Sequence, residues 1–105
     1  GAYLARHLGH CGECHTPRSS LGVSQLAREF AGASLTGAKG ETVRIEAIDQ
    51  TALADWTRDS FDLFLLLGLK ADGDFVGGEM SEVIDHNTAR LTDADRLALA
   101  AFFTR

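Results

Sequence analysis

The 105-residue sequence predicts a single all-α domain built from four or five short helices. Apolar residues recur at helical spacing in several stretches, and residues with capping side chains precede some of them. Signals for strands are scarce in the sequence. The length favours one domain over residues 1–105, because two halves would each be too small to bury an adequate core.

The first half of the chain is predicted to hold an opening helix followed by loops. Leu4, Leu8 and Cys11 recur at i, i+4 and i+7, which places them on one face of a helix that leads directly into the two cysteines. The only proline of the chain follows soon afterwards and ends helical structure. Residues 16 to about 40 are therefore predicted to be mainly loop, and the alternation over residues 43–46 is a weak signal for a short extended piece.

Two helices are predicted in the middle of the chain. Asp49 can cap a short helix that includes Trp56, and Thr57 can cap a second helix over residues 58–67. Gly68 can end this second helix in the left-handed conformation. Residues 58–67 are apolar on most of the helix circumference, as expected of a helix buried by its neighbours or by a large prosthetic group.

Two more helices are predicted in the last third of the chain, after a glycine-rich loop over residues 70–79. Met80 begins a short helix that reaches about Asn87. Thr92, followed three residues later by Asp95, resembles a capping box with Asp in place of the usual Glu or Gln. The final helix is predicted to close one side of the domain by crossing the opening helix.

Composition and charge argue against two functional classes. The net charge is −5, and the sequence lacks the Lys/Arg clusters that bind a phosphate backbone, which argues against nucleic acid as a partner. The longest apolar run, residues 61–69, is far shorter than the ~20 residues of a bilayer span, so no membrane span is predicted in this chain. An acidic carrier favours a partner with a basic docking patch.

Cys11-Gly12-Glu13-Cys14-His15 matches the C-x-x-C-H pattern of covalent haem attachment. Two cysteines three positions apart on a helical turn can reach the two vinyl groups on one porphyrin edge as thioethers. The histidine that follows is then carried beneath the iron and can ligate it. The predicted cofactor is therefore one haem c, bound through Cys11 and Cys14, with His15 as an iron ligand.

Three other interpretations of the two cysteines are less favoured. A structural zinc site normally needs four ligands, and the sequence has no second cysteine pair. A thioredoxin-like redox pair requires a βαβ context, whereas these cysteines follow a predicted helix in a chain with little strand signal. The third interpretation is chance placement of two inert cysteines.

Beyond the attachment motif, several strings resemble class I cytochrome c domains, and they occur in the same order. More narrowly, the chain is similar to the cytochrome subunits of bacterial membrane-bound alcohol, aldehyde and gluconate dehydrogenases and to related periplasmic dihaem cytochromes. The strings are His10–Arg18 (HCGECHTPR), Trp56-Thr57, Gly78–Ile84 (GEMSEVI) and Leu91–Asp95 (LTDAD).

This resemblance implies a cytochrome c fold, with the short helices wrapped around one covalently bound haem. It also implies that His15 is the proximal ligand of the iron and that Met80, in the Met-Ser string, is the distal ligand. The sequence departs from the family between about Gly37 and Thr51, where a Pro-Asn-Ile-Thr-like string is common.

Four further residues are candidates for roles around the haem. Arg18 and Trp56 are candidates for the haem propionates, because a guanidinium pairs with carboxylates and an indole N–H is a donor. An exposed loop position and simple core packing are their respective alternatives. Pro17 is a candidate to shape the turn that brings a backbone carbonyl to the free ring nitrogen of His15. His86 is the alternative distal ligand.

The function implied is one-electron transfer, because His15 and Met80 would fill both axial positions and leave no open site for substrate. The implied partners are a dehydrogenase subunit as donor and another cytochrome or a terminal oxidase as acceptor, in the periplasm or at a membrane facing it. The alternative is a haem-based redox catalyst or sensor with a labile distal ligand. Because the chain begins inside its opening helix, a longer polyhaem protein is a reasonable expectation.

Overall fold

The computed structural model describes residues 1–19, 21–36, 40 and 42–105, and helices predominate among them. The structure therefore confirms the predicted helical architecture and adds a small hairpin. The helical elements are an opening π-helical turn (Leu4–Leu8), α1 (Cys11–His15), a 3₁₀ turn (Leu26–Arg28), α2 (Arg58–Leu67), α3 (Gly78–His86), a second 3₁₀ turn (Thr88–Arg90) and α4 (Asp93–Phe103); the strands are β1 (Ala33–Thr36) and β2 (Thr42–Ile45).

The opening helical segment does not lead directly into the cysteines, contrary to the prediction. The Gly9 N–H donates to the Leu4 carbonyl at 2.6 Å, which closes a wide turn, and His10 then adopts a left-handed backbone with φ 54°. A helix cannot continue through such a residue, so α1 begins anew at Cys11. The predicted apolar stripe is divided as a result: Leu4 and Cys11 pack against the core, whereas Leu8 is exposed.

The strands β1 and β2 form an antiparallel hairpin in which Ala33 pairs with Ile45 and Thr36 with Thr42. The extended piece predicted over residues 43–46 is thus confirmed as β2. The prediction of mainly loop over residues 16 to 40 missed β1, because the alternation over its four residues is short and its pairing partner, β2, is supplied by a later part of the chain. Residues 37–39 and 41, which fall in or next to the start of the interval that departs from the family, lie outside the described residues.

The predicted caps of α2 are confirmed. The Thr57 hydroxyl accepts the Ser60 N–H at 3.0 Å, and the Ser60 hydroxyl accepts the Thr57 N–H at 2.9 Å, so both donors are satisfied. Gly68 ends α2 with φ 76°. Asp49 accepts the Ala52 N–H at 2.9 Å, but the residues after it form turns rather than the predicted short helix.

The last two helices lie close to their predicted positions. α3 begins at Gly78, two residues before the predicted start at Met80. Thr92 caps α4 by accepting the Asp95 N–H at 3.1 Å. α4 is the longest helix of the described ranges at 11 residues, and none of these helices is long and apolar enough to cross a membrane.

The core lies where α2, α4 and the opening turn meet. The predicted contact between the first and last helical segments is present, since the opening turn packs on α4. Arg96 of α4 adds a polar tie, because its nearly buried guanidinium donates to Asp62 of α2 at 2.9 Å. The interpretation of residues 1–105 as one domain stays a prediction. The buried apolar cluster consists of Ala5, Phe30, Leu53, Phe61, Leu65, Leu99, Ala100 and Phe103.

Candidate haem site

The short helix α1 consists of the five residues of the attachment motif. Cys11 and Cys14 lie three positions apart, a spacing that brings side chains to the same side of an α-helix. Both thiols are free; Cys11 is partly buried against the core and Cys14 is exposed. Burial raises the pKa of the Cys11 thiol to about 11, so this group is a neutral thiol at pH 7.

The ring of His15 is oriented by the backbone that follows β2. Its Nδ1 lies 2.7 Å from the Glu46 carbonyl oxygen, and because a carbonyl only accepts, Nδ1 carries a proton; in the neutral imidazole this leaves the lone pair on Nε2. The Gly32 N–H donates to the His15 carbonyl at 2.7 Å. The carbonyl at the ring thus comes from Glu46 rather than from the turn at Pro17, whose own carbonyl accepts the Gln25 N–H.

Thr16, the residue after the motif, connects α1 to the loop that precedes β1. Its side chain is buried, and its hydroxyl accepts the Phe30 N–H at 3.0 Å. Phe30 is itself buried with a left-handed backbone, φ 64°. No role is predicted from the sequence for Thr16 or for Glu46. Thr16 lies inside a string that resembles the family. Glu46 lies in the interval that departs from the family, and it acts through its backbone carbonyl, so no side-chain signal could identify this residue.

Arg18 and Trp56, the candidates for the haem propionates, both have protein partners. The Arg18 guanidinium donates to the carbonyls of Glu13 and Gly22, both at 3.1 Å, and so braces the turn after α1. Trp56 is partly buried, with its ring edge-to-face against two phenylalanine rings of α2 at 5.4 and 5.3 Å. The structure thus assigns Trp56 a packing contact, and contact of either residue with a propionate stays a prediction.

Met80 lies in the first turn of α3 and is partly buried, whereas His86, the alternative distal ligand, is the exposed last residue of the same helix. Helix α3 packs against α2. Neither of the two main surface clefts in the described part of the chain is lined by His15 or Met80. Ligation of the iron by Met80 stays a prediction.

Exposed apolar side chains on α2, on α3 and in the loop between them, together with the thiols and the imidazole of α1, are the kinds of group that a covalently bound haem requires. Leu63 and Leu67 lie one turn apart on α2 with 38% and 56% of their surface exposed, and Val83 of α3 is 41% exposed. Phe75, in the loop between these helices, is 69% exposed. A porphyrin that covers such side chains removes apolar area from water. Two thiols on one turn and a histidine oriented through its Nδ1 supply the thioether and iron-binding groups that this cofactor requires.

The sequence matches no family model, but it is similar to several curated proteins. It is 40% identical to a diheme c-type cytochrome of Cereibacter sphaeroides, over 100% of this chain and 34% of that protein. It is 33% identical to the gluconate 2-dehydrogenase cytochrome c subunit of Pantoea cypripedii, over 97% of this chain and 24% of the relative. It is 32% identical to the fructose dehydrogenase cytochrome subunit of Gluconobacter japonicus, over 97% of this chain and 20% of the relative.

The chain thus spans about a third or less of the length of these relatives, while the similarity extends over nearly all of its own residues. These relatives are by name c-type cytochromes or cytochrome subunits, in agreement with the class I cytochrome c domains that the four strings resemble. The mostly helical structure, with the attachment motif on α1, is compatible with the same class. On this combined ground the chain has a cytochrome c fold and is similar, over nearly all of its own residues, to c-type cytochromes and to the cytochrome subunits of dehydrogenases.

Proposed function

We propose that the chain is a one-electron carrier domain that holds one haem c through thioethers from Cys11 and Cys14, with His15 and Met80 as axial ligands. The observation that supports this function most strongly is the 2.7 Å hydrogen bond between His15 Nδ1 and the Glu46 carbonyl. Such a bond fixes the tautomer and orientation of a metal-binding imidazole and makes its other nitrogen a better ligand.

The haem, when bound, supplies an iron that alternates between the ferric and ferrous states. The protein's part is to keep the two axial side chains in place in both states. Glu46 holds the ring of His15, and Gly32 holds its backbone, so the proximal side has little freedom to rearrange. If Met80 occupies the opposite position, substrate and water have no access to the iron, and electron transfer is favoured over catalysis.

The proposed donor is a dehydrogenase subunit, and the proposed acceptor is another cytochrome or a terminal oxidase. Support comes from the relatives, which are by name cytochrome subunits of gluconate and fructose dehydrogenases. One haem is proposed for this chain because its sequence has a single attachment motif. The diheme relative is about three times as long, since the chain covers 34% of it.

The proposed compartment is the periplasm, or a membrane surface that faces it, because haem attachment of this type takes place there in the bacterial family that the chain resembles. Fractionation of cells that express the full-length gene product tests this placement. We expect the haem-stained band in the periplasmic or membrane fraction. A full-length product with neither an export signal nor a membrane segment would contradict the placement.

The central experiment is replacement of Met80 in the haem-bearing protein. Thioether sulfur is a soft neutral ligand that favours ferrous iron, so Met80→Ala should open the sixth position, lower the reduction potential and allow rapid binding of carbon monoxide. The weak near-infrared charge-transfer band of Met–Fe–His ligation should disappear. Optical spectra of both oxidation states and a redox titration measure these changes.

His86→Ala is the matched control, because His86 is on the same helix and is the alternative ligand. It should leave the spectrum and the potential nearly unchanged. Two results would replace the carrier function with the catalytic or sensing alternative: rapid binding of carbon monoxide by the unmodified protein, or a change of the distal ligand signature in His86→Ala rather than in Met80→Ala.

A further inference from the structure

Thr16 is one of three buried polar or charged side chains in the described part of the chain, and it directly follows His15. Only 2% of its surface is exposed. Its hydroxyl accepts the Phe30 N–H at 3.0 Å, and α1 lies against this hydroxyl, since a Cβ added at Gly12 would be 3.3 Å from its oxygen. A buried hydroxyl is costly unless it is hydrogen-bonded, so the bond to Phe30 is a fixed part of the folded structure.

The partner of this hydroxyl, Phe30, has a backbone conformation that bulky residues rarely adopt. Its φ of 64° lies in the left-handed region. Such a backbone persists only where the surrounding structure holds it. Two contacts hold Phe30: the Thr16 hydroxyl binds its N–H, and its buried ring packs edge-to-face on Phe103 with 5.1 Å between the ring centroids. The Thr16 hydroxyl therefore helps to fix the direction in which the chain leaves Phe30.

The segment that follows Phe30 returns to it through the hairpin of β1 and β2. Ala33 pairs with Ile45 where the two strands begin and end. Beyond this pair, the Phe30 carbonyl accepts the Ile48 N–H at 2.8 Å. Glu46 lies between these two contacts along the chain. Its carbonyl therefore cannot move far unless the Phe30 backbone moves with it.

Two backbone groups of this segment bind His15. The Gly32 N–H donates to the His15 carbonyl at 2.7 Å, and the Glu46 carbonyl accepts from His15 Nδ1 at 2.7 Å. Thr16, the next residue along the chain, binds the start of the same segment at Phe30. The three hydrogen bonds thus attach one segment to two consecutive residues of the chain.

We propose that the Thr16 hydroxyl positions the imidazole of His15, because it holds the segment that brings the Glu46 carbonyl to Nδ1. Thr16 acts through the backbone of Phe30, so it is a positioning residue rather than a ligand. A hydrogen bond at Nδ1 raises the basicity of the ring, and a more basic ligand favours ferric over ferrous iron. The inference deepens the proposed function and rests on it where His15 is taken as the iron ligand; the hydrogen bonds themselves do not depend on Met80.

The test is the variant Thr16→Val in the haem-bearing protein, because valine keeps the shape of threonine and removes the acceptor for the Phe30 N–H. Hydrogen exchange of His15 Nδ1–H, followed by NMR of the ¹⁵N-labelled ferrous protein, should be about tenfold faster, as expected for the loss of one buried hydrogen bond. The equilibrium between ferric and ferrous iron should move about threefold toward ferrous, which is a rise of roughly 30 mV in the reduction potential. Thr16→Ser, which keeps the hydroxyl, should restore most of both values.

Thr88→Val is the matched control. Thr88 is also buried, and its hydroxyl donates to the Leu65 carbonyl at 2.6 Å, which ties the second 3₁₀ turn to α2. This variant should lower the free energy of unfolding by a similar amount and leave the exchange of His15 Nδ1–H nearly unchanged. Unchanged exchange in Thr16→Val, or equal acceleration in Thr16→Val and Thr88→Val, would overturn the proposal.

A measurement on the unmodified protein tests the same inference if Thr16→Val yields no folded protein. Because one opening of the segment releases both groups, exchange of the Phe30 N–H and of His15 Nδ1–H should be slowed to a similar degree relative to an unfolded chain. Rapid exchange of Nδ1–H while the Phe30 N–H remains protected would refute the inference. The two proposals can also fail separately: faster exchange of Nδ1–H with an unchanged potential in Thr16→Val would support the positioning role and contradict ligation of the iron by His15.

Discussion

Arg96 should couple strongly to one of its two acidic partners and weakly to the other. Its guanidinium is 7% exposed and donates to Asp62 at 2.9 Å and to Asp93 at 2.8 Å. The two distances are nearly equal, but Asp62 is 21% exposed and Asp93 is 89% exposed. Water therefore screens the Arg96–Asp93 pair, and competes for its hydrogen bond, far more than it does for the Arg96–Asp62 pair. We expect a coupling free energy of about 2 kcal/mol for the pair with Asp62 and about 0.5 kcal/mol for the pair with Asp93.

Two double-mutant cycles measure these coupling energies. Each combines Arg96→Met with Asp62→Ala or with Asp93→Ala, and urea unfolding of the haem-bearing proteins gives the free energies of unfolding. The cycle cancels the helix propensity and dipole effects of each single change, which matters because Asp93 lies at the start of α4. Equal coupling energies for the two pairs, or a value below about 0.5 kcal/mol for Asp62, would refute the argument from exposure.

Three further predictions concern the site. Gly32→Ala should destabilise the protein by about 2 kcal/mol or more, because the added Cβ meets both a positive φ and the Ile45 carbonyl oxygen. Gly22→Ala is the control: it has φ 79° but no atom within 4 Å of the added Cβ, so it should cost only about 1 kcal/mol. Urea unfolding compares the two variants, and equal losses of stability would contradict the clash at Gly32. The haem should remain with the chain in denaturing acid through thioethers to Cys11 and Cys14, and mass spectrometry that shows an apo-chain mass or a zinc adduct after maturation in a competent host would contradict this. Met80→His should keep the iron six-coordinate at a lower potential, as measured by optical spectra and redox titration.

The elements that the sequence predicted well are those determined by neighbouring residues. A capping hydroxyl and the amide that it binds are three positions apart at Thr57 and at Thr92, so the sequence contains both partners of each bond. The attachment motif is local in the same sense, and its position on one short helix follows from its spacing.

The elements that the sequence missed depend on distant residues. The break at His10 follows from a wide turn that local apolar spacing does not reveal, and β1 is a strand only because β2 lies beside it. The group that orients His15 is a backbone carbonyl, which every residue has, so no residue type could identify Glu46. Met80 was predicted from its string alone, and its ligation awaits the variant proposed above.

The bond between His15 and Glu46 joins residues 31 positions apart. Closing a loop of this length costs conformational entropy, so an unfolded chain lacks the bond. The two cysteines and His15, by contrast, are adjacent in sequence and available before any tertiary structure forms. The sequence alone therefore places His15 beside the two thiols, but its ring is oriented only after the segment from α1 to the end of β2 has folded.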